Sequence, residues 1–115
     1  YSVQYGYYIK IGQYVFANGR ITLATKGTTT GSCTIAGLPF ATINQTQSWQ
    51  LANPVYFTGM GVAQIALPSY IAPNATVCTM ITVTAAAVNQ SISLNWTSLG
   101  GTTDFIFGLG YRADV

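Results

Sequence analysis

Few residues of this 115-residue chain can do chemistry. Asp104 and Asp114 are the only carboxylate side chains, Lys10, Arg20, Lys26 and Arg112 the only cationic ones, and histidine and glutamate are absent. General acid–base work therefore falls to two aspartates. Glycoside hydrolysis needs two carboxyl groups about 5 to 10 Å apart. Ten positions along one extended strand, at about 3.3 Å each, put Asp104 and Asp114 roughly 33 Å apart. A working pair forms only between chains. Composition excludes a Ser-His-Asp or Cys-His arrangement. Two cysteines, Cys33 and Cys78, fall short of a four-ligand zinc site, and two aspartates fall short of a calcium cage. The expectation is a protein that is not an enzyme and holds no metal or cofactor.

Binding passes this filter. Sugars are held by aromatic faces and by neutral hydrogen-bonding side chains, and the chain has eight Tyr, five Phe and two Trp among abundant Asn, Gln, Ser and Thr. Phe57, Phe105, Phe107 and Tyr111 are expected in a core or interface. Trp49 stands in a polar stretch with Gln45, Gln47, Ser48 and Gln50, Tyr70 and Asn74 stand in a Pro-rich turn, and Trp96 stands beside a Gly-rich turn. The candidate ligand-binding residues are Trp49, Gln47, Gln50, Tyr70, Asn74 and Trp96. Arg20 and Lys26 suit an anionic surface polysaccharide, and solvated strand edges explain them as well. A net charge of +2 is too thin for nucleic acid, which needs a basic patch and several phosphate contacts.

Half of the residues are apolar and 5% are charged, where an ordinary globular domain has about a quarter charged. Disorder is excluded, because it requires low hydrophobicity and high net charge. No run of about 18 apolar residues offers a membrane span. The length suits one domain. A surface this poor in charge is explained if identical neighbours cover much of it; the alternative is that Ser, Thr, Asn and Gln supply the polarity. Asn-X-Ser/Thr triplets at Asn44, Asn74, Asn89 and Asn95 follow from a composition rich in Asn and Thr rather than from glycosylation. The chain opens at Tyr1 inside a strand-like run, which suggests a piece of a longer polypeptide.

The elements that must position these residues read as strands throughout. Gly12-Gln13 separates two β-branched and aromatic runs, the signature of a type II′ hairpin. After it Val15, Ala17, Gly19, Ile21 and Leu23 alternate with Asn18, Arg20 and Thr22, a half-buried strand. Asn18-Gly19 is itself a hairpin signal; one long strand with Gly19 as a bulge is the favoured reading, because the nearby turn already exists. Strands follow over residues 32–36, 55–58, 62–67, 76–85, 91–96 and 104–112. Loops are expected over 26–31 and 42–53, and turns over 59–61, 68–74 and 98–103. In the 76–85 strand Val77, Ile81 and Val83 form the apolar side and Cys78 the other, while Cys33 shares a face with Ile35. The two thiols are therefore expected to be free. About eight short strands with turns between them indicate an all-β fold, an antiparallel, jelly-roll-like β-sandwich in a single domain.

The opening of the chain resembles a known module. Tyr8-Ile9-Lys10-Ile11-Gly12, Val15-Phe16-Ala17-Asn18-Gly19-Arg20-Ile21, Lys26-Gly27-Thr28 and Ile35-Ala36-Gly37-Leu38-Pro39-Phe40 are similar to the start of a C-terminal domain of phage tail fibres and tailspikes, with a weaker echo from Thr103 to Tyr111. The resemblance implies a homotrimeric tip on a virion fibre, assembled in the host cytoplasm. It further implies binding to a host cell-surface polysaccharide or receptor, a purely structural trimer clamp, or both. Residues 41–99 carry no such resemblance.

Overall fold

Hairpin chemistry builds the first sheet. Strand β1 (Val3–Ile11) and strand β2 (Tyr14–Thr22) pair antiparallel from Ile11↔Tyr14 to Val3↔Thr22. Gly12 takes φ 58° and Gln13 does not share the positive-φ region, as a type II′ turn requires. The computed structural model describes residues 1–46, 50–52, 56–84 and 92–114. Strand β2 passes through Asn18-Gly19 without a turn and without a bulge: Gly19 faces Gly6 on one side and Phe107 on the other in unbroken register. The glycine is there for space. A Cβ on it would lie 2.5 Å from Phe107 Cζ and 2.7 Å from the Tyr5 carbonyl oxygen.

Strand β3 (Thr34–Ala36) is followed by strand β4 (Gln50–Ala52), which lies inside the stretch expected to be loop. Strand β5 (Tyr56–Met60) ends at the expected glycine turn. Strand β6 (Ser69–Ile71) occupies the expected Pro-rich turn, and strand β7 (Val77–Met80) is shorter than expected. The expected strands over 62–67 and 91–96 are reduced, among the described residues, to single bridges at Ala66, Ser93 and Asn95. A 3-10 turn, Trp96–Ser98, follows, with Asn95 Oδ1 accepting from Thr97 N at 2.9 Å. Strand β8 (Leu99–Arg112) absorbs the expected Gly-rich turn. Gly100 remains in the strand because the register shifts between Thr58 and Met60 of β5. Gly59, at φ 69°, thereby presses its carbonyl on the site of any Gly100 Cβ. The buried Thr103 hydroxyl donates to that carbonyl at 2.8 Å and accepts from Gly100 N at 2.8 Å.

Two four-stranded antiparallel sheets result, in the orders β1-β2-β8-β5 and β3-β7-β6-β4. Val15, Ala17, Leu109 and Tyr111 of the first share one core with Ile35, Ile71, Cys78 and Met80 of the second. On β7 the buried side is Cys78 and Met80, with Val77 and Thr79 half-buried, which inverts the expected facing. Cysteine packs as a small hydrophobe and methionine fills irregular gaps, so the thiol and thioether take the interior. Cys33 and Cys78 both lie in the core as free thiols. Burial pushes the Cys33 thiol up to about 11 and raises Cys78 as well, the latter partly offset by a hydrogen bond with Ser69.

Candidate functional site

Strand β1 is an edge strand with unusual company on its inner face. Register places Gln4, Gly6, Tyr8 and Lys10 beside Ile21, Gly19, Ala17 and Val15, the inward side of β2. Opposing side chains in such pairs share a face. Near the hairpin this face is closed by Phe40. Its ring meets Tyr8 edge-on at 5.6 Å, the Lys10 ammonium lies 5.4 Å from its centroid, and its N–H donates to Tyr111 Oη at 3.4 Å. Lys10 Nζ also donates to Gly12 O at 2.6 Å. Further along, the facing glycines Gly6 and Gly19 leave a gap in the side-chain layer, into which Phe107 reaches only under Gly19.

A groove of about 430 Å3 opens there, between the inner side of β1 and the segment from Ile35 to Pro39. That volume falls in the range of small-molecule sites, about 300–1,000 Å3. Gly37, at φ 83°, turns the segment back to form the wall. None of the residues lining it is charged, and Gln4, Tyr8, Asn18 and Phe107 are among them. The arrangement offers aromatic surface and neutral hydrogen-bonding groups, and no nucleophile paired with a base.

The opposite side of the same sheet is broad and uncovered. Tyr5, Tyr7, Ile9 and Ile11 of β1 lie beside Arg20, Asn18, Phe16 and Tyr14 of β2, and these beside Ile106, Gly108, Gly110 and Arg112 of β8. Tyr56 of β5 joins Ile106. Tyr7 is 62% exposed, Ile9 61%, Tyr56 59% and Phe16 50%. One ion pair lies in this face. Arg20 grips Asp104 with Nε–Oδ1 at 3.1 Å and Nη2–Oδ2 at 2.8 Å, and Thr22 Oγ1 donates to Oδ1 at 2.7 Å. These bonds stabilise the charged form and hold the Asp104 carboxyl below the usual carboxylate range.

The expected ligand residues do not gather. Gln47 and Trp49 lie outside the described residues. Gln50 is half-buried at the start of β4, where its Oε1 accepts from Arg112 N at 3.4 Å. Register puts Gln50 beside the buried Ile71 and puts Tyr70 on the alternate side, half-buried in β6 rather than in a turn. Asn74 is exposed at φ 53° in a turn. That turn is pinned by the buried Thr42, whose Oγ1 donates to Ala72 O at 2.5 Å and accepts from Ala75 N at 3.1 Å. Trp96 packs partly buried against the core beside Cys33 and Met80. The sequence reading did not find the groove. Its signal was Gly6 opposite Gly19, legible only once the β1–β2 register is fixed.

Among the described residues no cluster of three or more His, Cys, Asp or Glu could hold a metal ion, and no helix is long and apolar enough to cross a membrane. No family model, curated protein or solved structure matches the chain.

Proposed function

We propose that this domain is the distal tip module of a phage tail fibre or tailspike, a homotrimeric, jelly-roll-like β-sandwich that binds a host cell-surface glycan without cleaving it. The observation that carries the binding half is the uncharged groove between β1 and the Ile35–Pro39 segment. Its aromatic surface and the Gln4 amide suit a sugar ring and give an ionic ligand no counter-charge. The resemblance of residues 8–40 to the fibre module supplies the setting, a virion tip assembled in the host cytoplasm. Catalysis is disfavoured because Asp104 is held ionised, which does not suit a general acid, and because both its carboxylate oxygens are already engaged by Arg20 and Thr22.

A second reading is favoured by the uncovered outer face of the same sheet: a trimer clamp with no ligand. Adsorption of the purified domain to host cells separates the two. Gly6→Val locates the site: a Cβ there lies on the groove side of β1, where it meets the Asn18 carbonyl oxygen at 3.2 Å and Gly19 Cα at 3.9 Å. The expected result is at least tenfold weaker adsorption by a domain that stays folded, with a somewhat lowered melting temperature. Full adsorption by Gly6→Val refutes the groove, and Trp49→Ala then tests the polar stretch of sequence around Trp49. No adsorption by the unaltered domain leaves the clamp.

A further inference from the structure

We infer that the outer face of the β1-β2-β8-β5 sheet is buried between copies of this chain. This rests on the homomeric half of the reading above and not on the glycan half. The face spans about nine residues along β1, β2 and β8, roughly 30 by 14 Å at standard spacings, and the five residues of β5 extend it at one edge. That is on the order of 500 Å2 in plan, and more once side-chain relief is counted. Such an area is at the upper end of the range of about 300–600 Å2 that the largest patch of a monomer reaches, a size that is often functional, and a standard interface takes about 800 Å2 from each partner.

The identity of the occupant follows from charge and relief. Arg20 and Asp104, the ionic groups in the middle of the face, neutralise each other through two hydrogen bonds, and Thr22 takes a further acceptor site. The pair can be covered without leaving a charge unpaired, which is the usual penalty of burying one. A strongly charged partner finds no excess charge in the middle of the face to read, and a second copy meets a like charge only at the hairpin end, where Arg112 donates to Gln13 Oε1. Gly108 and Gly110 leave a shallow furrow along β8, over which Asn18 and Phe16 lean: Asn18 Oδ1 lies 3.1 Å from where a Gly108 Cβ would stand and the Phe16 ring 3.6 Å from that of Gly110. The β1 side chains Tyr7 and Ile9 form a ridge on the far side of β2 from this furrow. Ridge and furrow on one surface allow copies to interlock, ridge into furrow. Strand β1, nine residues long, also offers an open sheet edge, of the kind that natural proteins cover.

The test is the mass of the domain by sedimentation equilibrium at micromolar concentration. The unaltered chain is expected as an oligomer. Ile9→Lys/Ile106→Lys, which sets like charges across the interface, is expected to raise the dissociation constant at least a hundredfold with an unchanged far-ultraviolet spectrum. Ile65→Lys, equally exposed but outside this sheet, is expected to leave the oligomer intact. A monomeric wild-type chain overturns the inference, as does an oligomer indifferent to the double substitution. If the double variant does not fold, tetranitromethane labelling of the unaltered protein decides: Tyr7 and Tyr56 protected in the oligomer support the interface, and their nitration at the rate of a free tyrosine overturns it. A wild-type monomer that sediments with phosphatidylcholine vesicles gives the face to a lipid surface, which also overturns the inference. Glycan adsorption, scored separately on the monomeric variant, shows whether the binding reading fails on its own.

Discussion

Substituting Gly19 by alanine sets two opposite effects against each other, and the structure says which wins. Gly19 is not among the residues at positive φ, so alanine suffers no backbone strain there. Its smaller unfolded-state entropy would by itself stabilise the protein by about 0.4–1 kcal/mol. Against this, the new Cβ would stand 2.5 Å from Phe107 Cζ and 2.7 Å from the Tyr5 carbonyl oxygen. Phe107 can swing toward the groove it lines, but the Tyr5 carbonyl belongs to β1 and moves only with the strand. Overpacking of this kind costs about 1–3 kcal/mol, and the net is a loss of up to about 2.5 kcal/mol. At about 4 °C per kcal/mol for a domain of this length, Gly19→Ala is expected to melt up to about 10 °C lower. The assay is thermal unfolding by circular dichroism at fixed protein concentration, because assembly also moves the melting temperature. The double variant Gly19→Ala/Phe107→Leu removes the ring clash and leaves the backbone one, so its loss should be less than the sum of the single losses. A raised melting temperature for Gly19→Ala, or strict additivity in the double variant, would refute the packing argument.

The remaining expectations concern titrating groups. Cys33 and Cys78 are buried and their thiols are raised by burial, Cys33 to about 11, so at pH 8 the Cys33 thiolate fraction is on the order of one in a thousand. Neither should react with a disulfide reagent in the folded protein, and two thiols per chain should react after unfolding without reductant; finding none in the unfolded chain means that they are bonded. The Asp104 carboxyl is lowered in the folded state, first by its hydrogen bond from Arg20 and then by that from Thr22. A depressed folded value contributes stability that is present above the unfolded value of about 3.9 and is lost as pH falls through the lower, folded one. Denaturant midpoints should therefore fall on acidification below about pH 4, and Asp104→Asn should flatten that slope; an unaltered slope would assign the acid sensitivity elsewhere.

What could be read from the sequence is what is decided locally. Gly12-Gln13 specifies its turn through two dihedral angles, and β2 shows its buried face because Val15, Ala17 and Gly19 alternate with residues that stay outside. The inner face of β8 was equally plain, with Phe105, Leu109 and Tyr111 buried and Phe107 packed against the core. The misses are non-local. Strands β4 and β6 are three residues each, and no period shows in three residues; each exists because a partner supplies its ladder. Pro68 and Pro73 flank β6 with turn signals that fit its ends. Gly100-Gly101 has turn composition but sits against Gly59, a contact between residues far apart in sequence. On β7 the hydrophobicity of Val77 and Ile81 pointed to the wrong face, since shape complementarity in the core favoured Cys78 and Met80.

Strand β1 shows best why both candidate surfaces escaped a one-dimensional reading. Its residues from Gln4 to Ile11 are exposed on both sides, so alternation has no buried face to report. The pleat nevertheless assigns each position a task. Gln4, Gly6 and Tyr8 overlook the groove, while Tyr5, Tyr7, Ile9 and Ile11 stand on the outer face. Successive side chains point to opposite sides of a strand, so substitutions at even positions should disturb ligand binding and those at odd positions assembly. Gly6→Val and Ile9→Lys differ by three positions and should give opposite phenotypes: an oligomer that does not adsorb, and a monomer that retains its weak single-site binding. Three such sites on one rigid tip would gain about a hundredfold or more in effective affinity, so the monomer should lose cell adsorption far more than it loses affinity for a soluble oligosaccharide. Equal losses in the two assays would mean that the groove is itself completed by a neighbouring subunit.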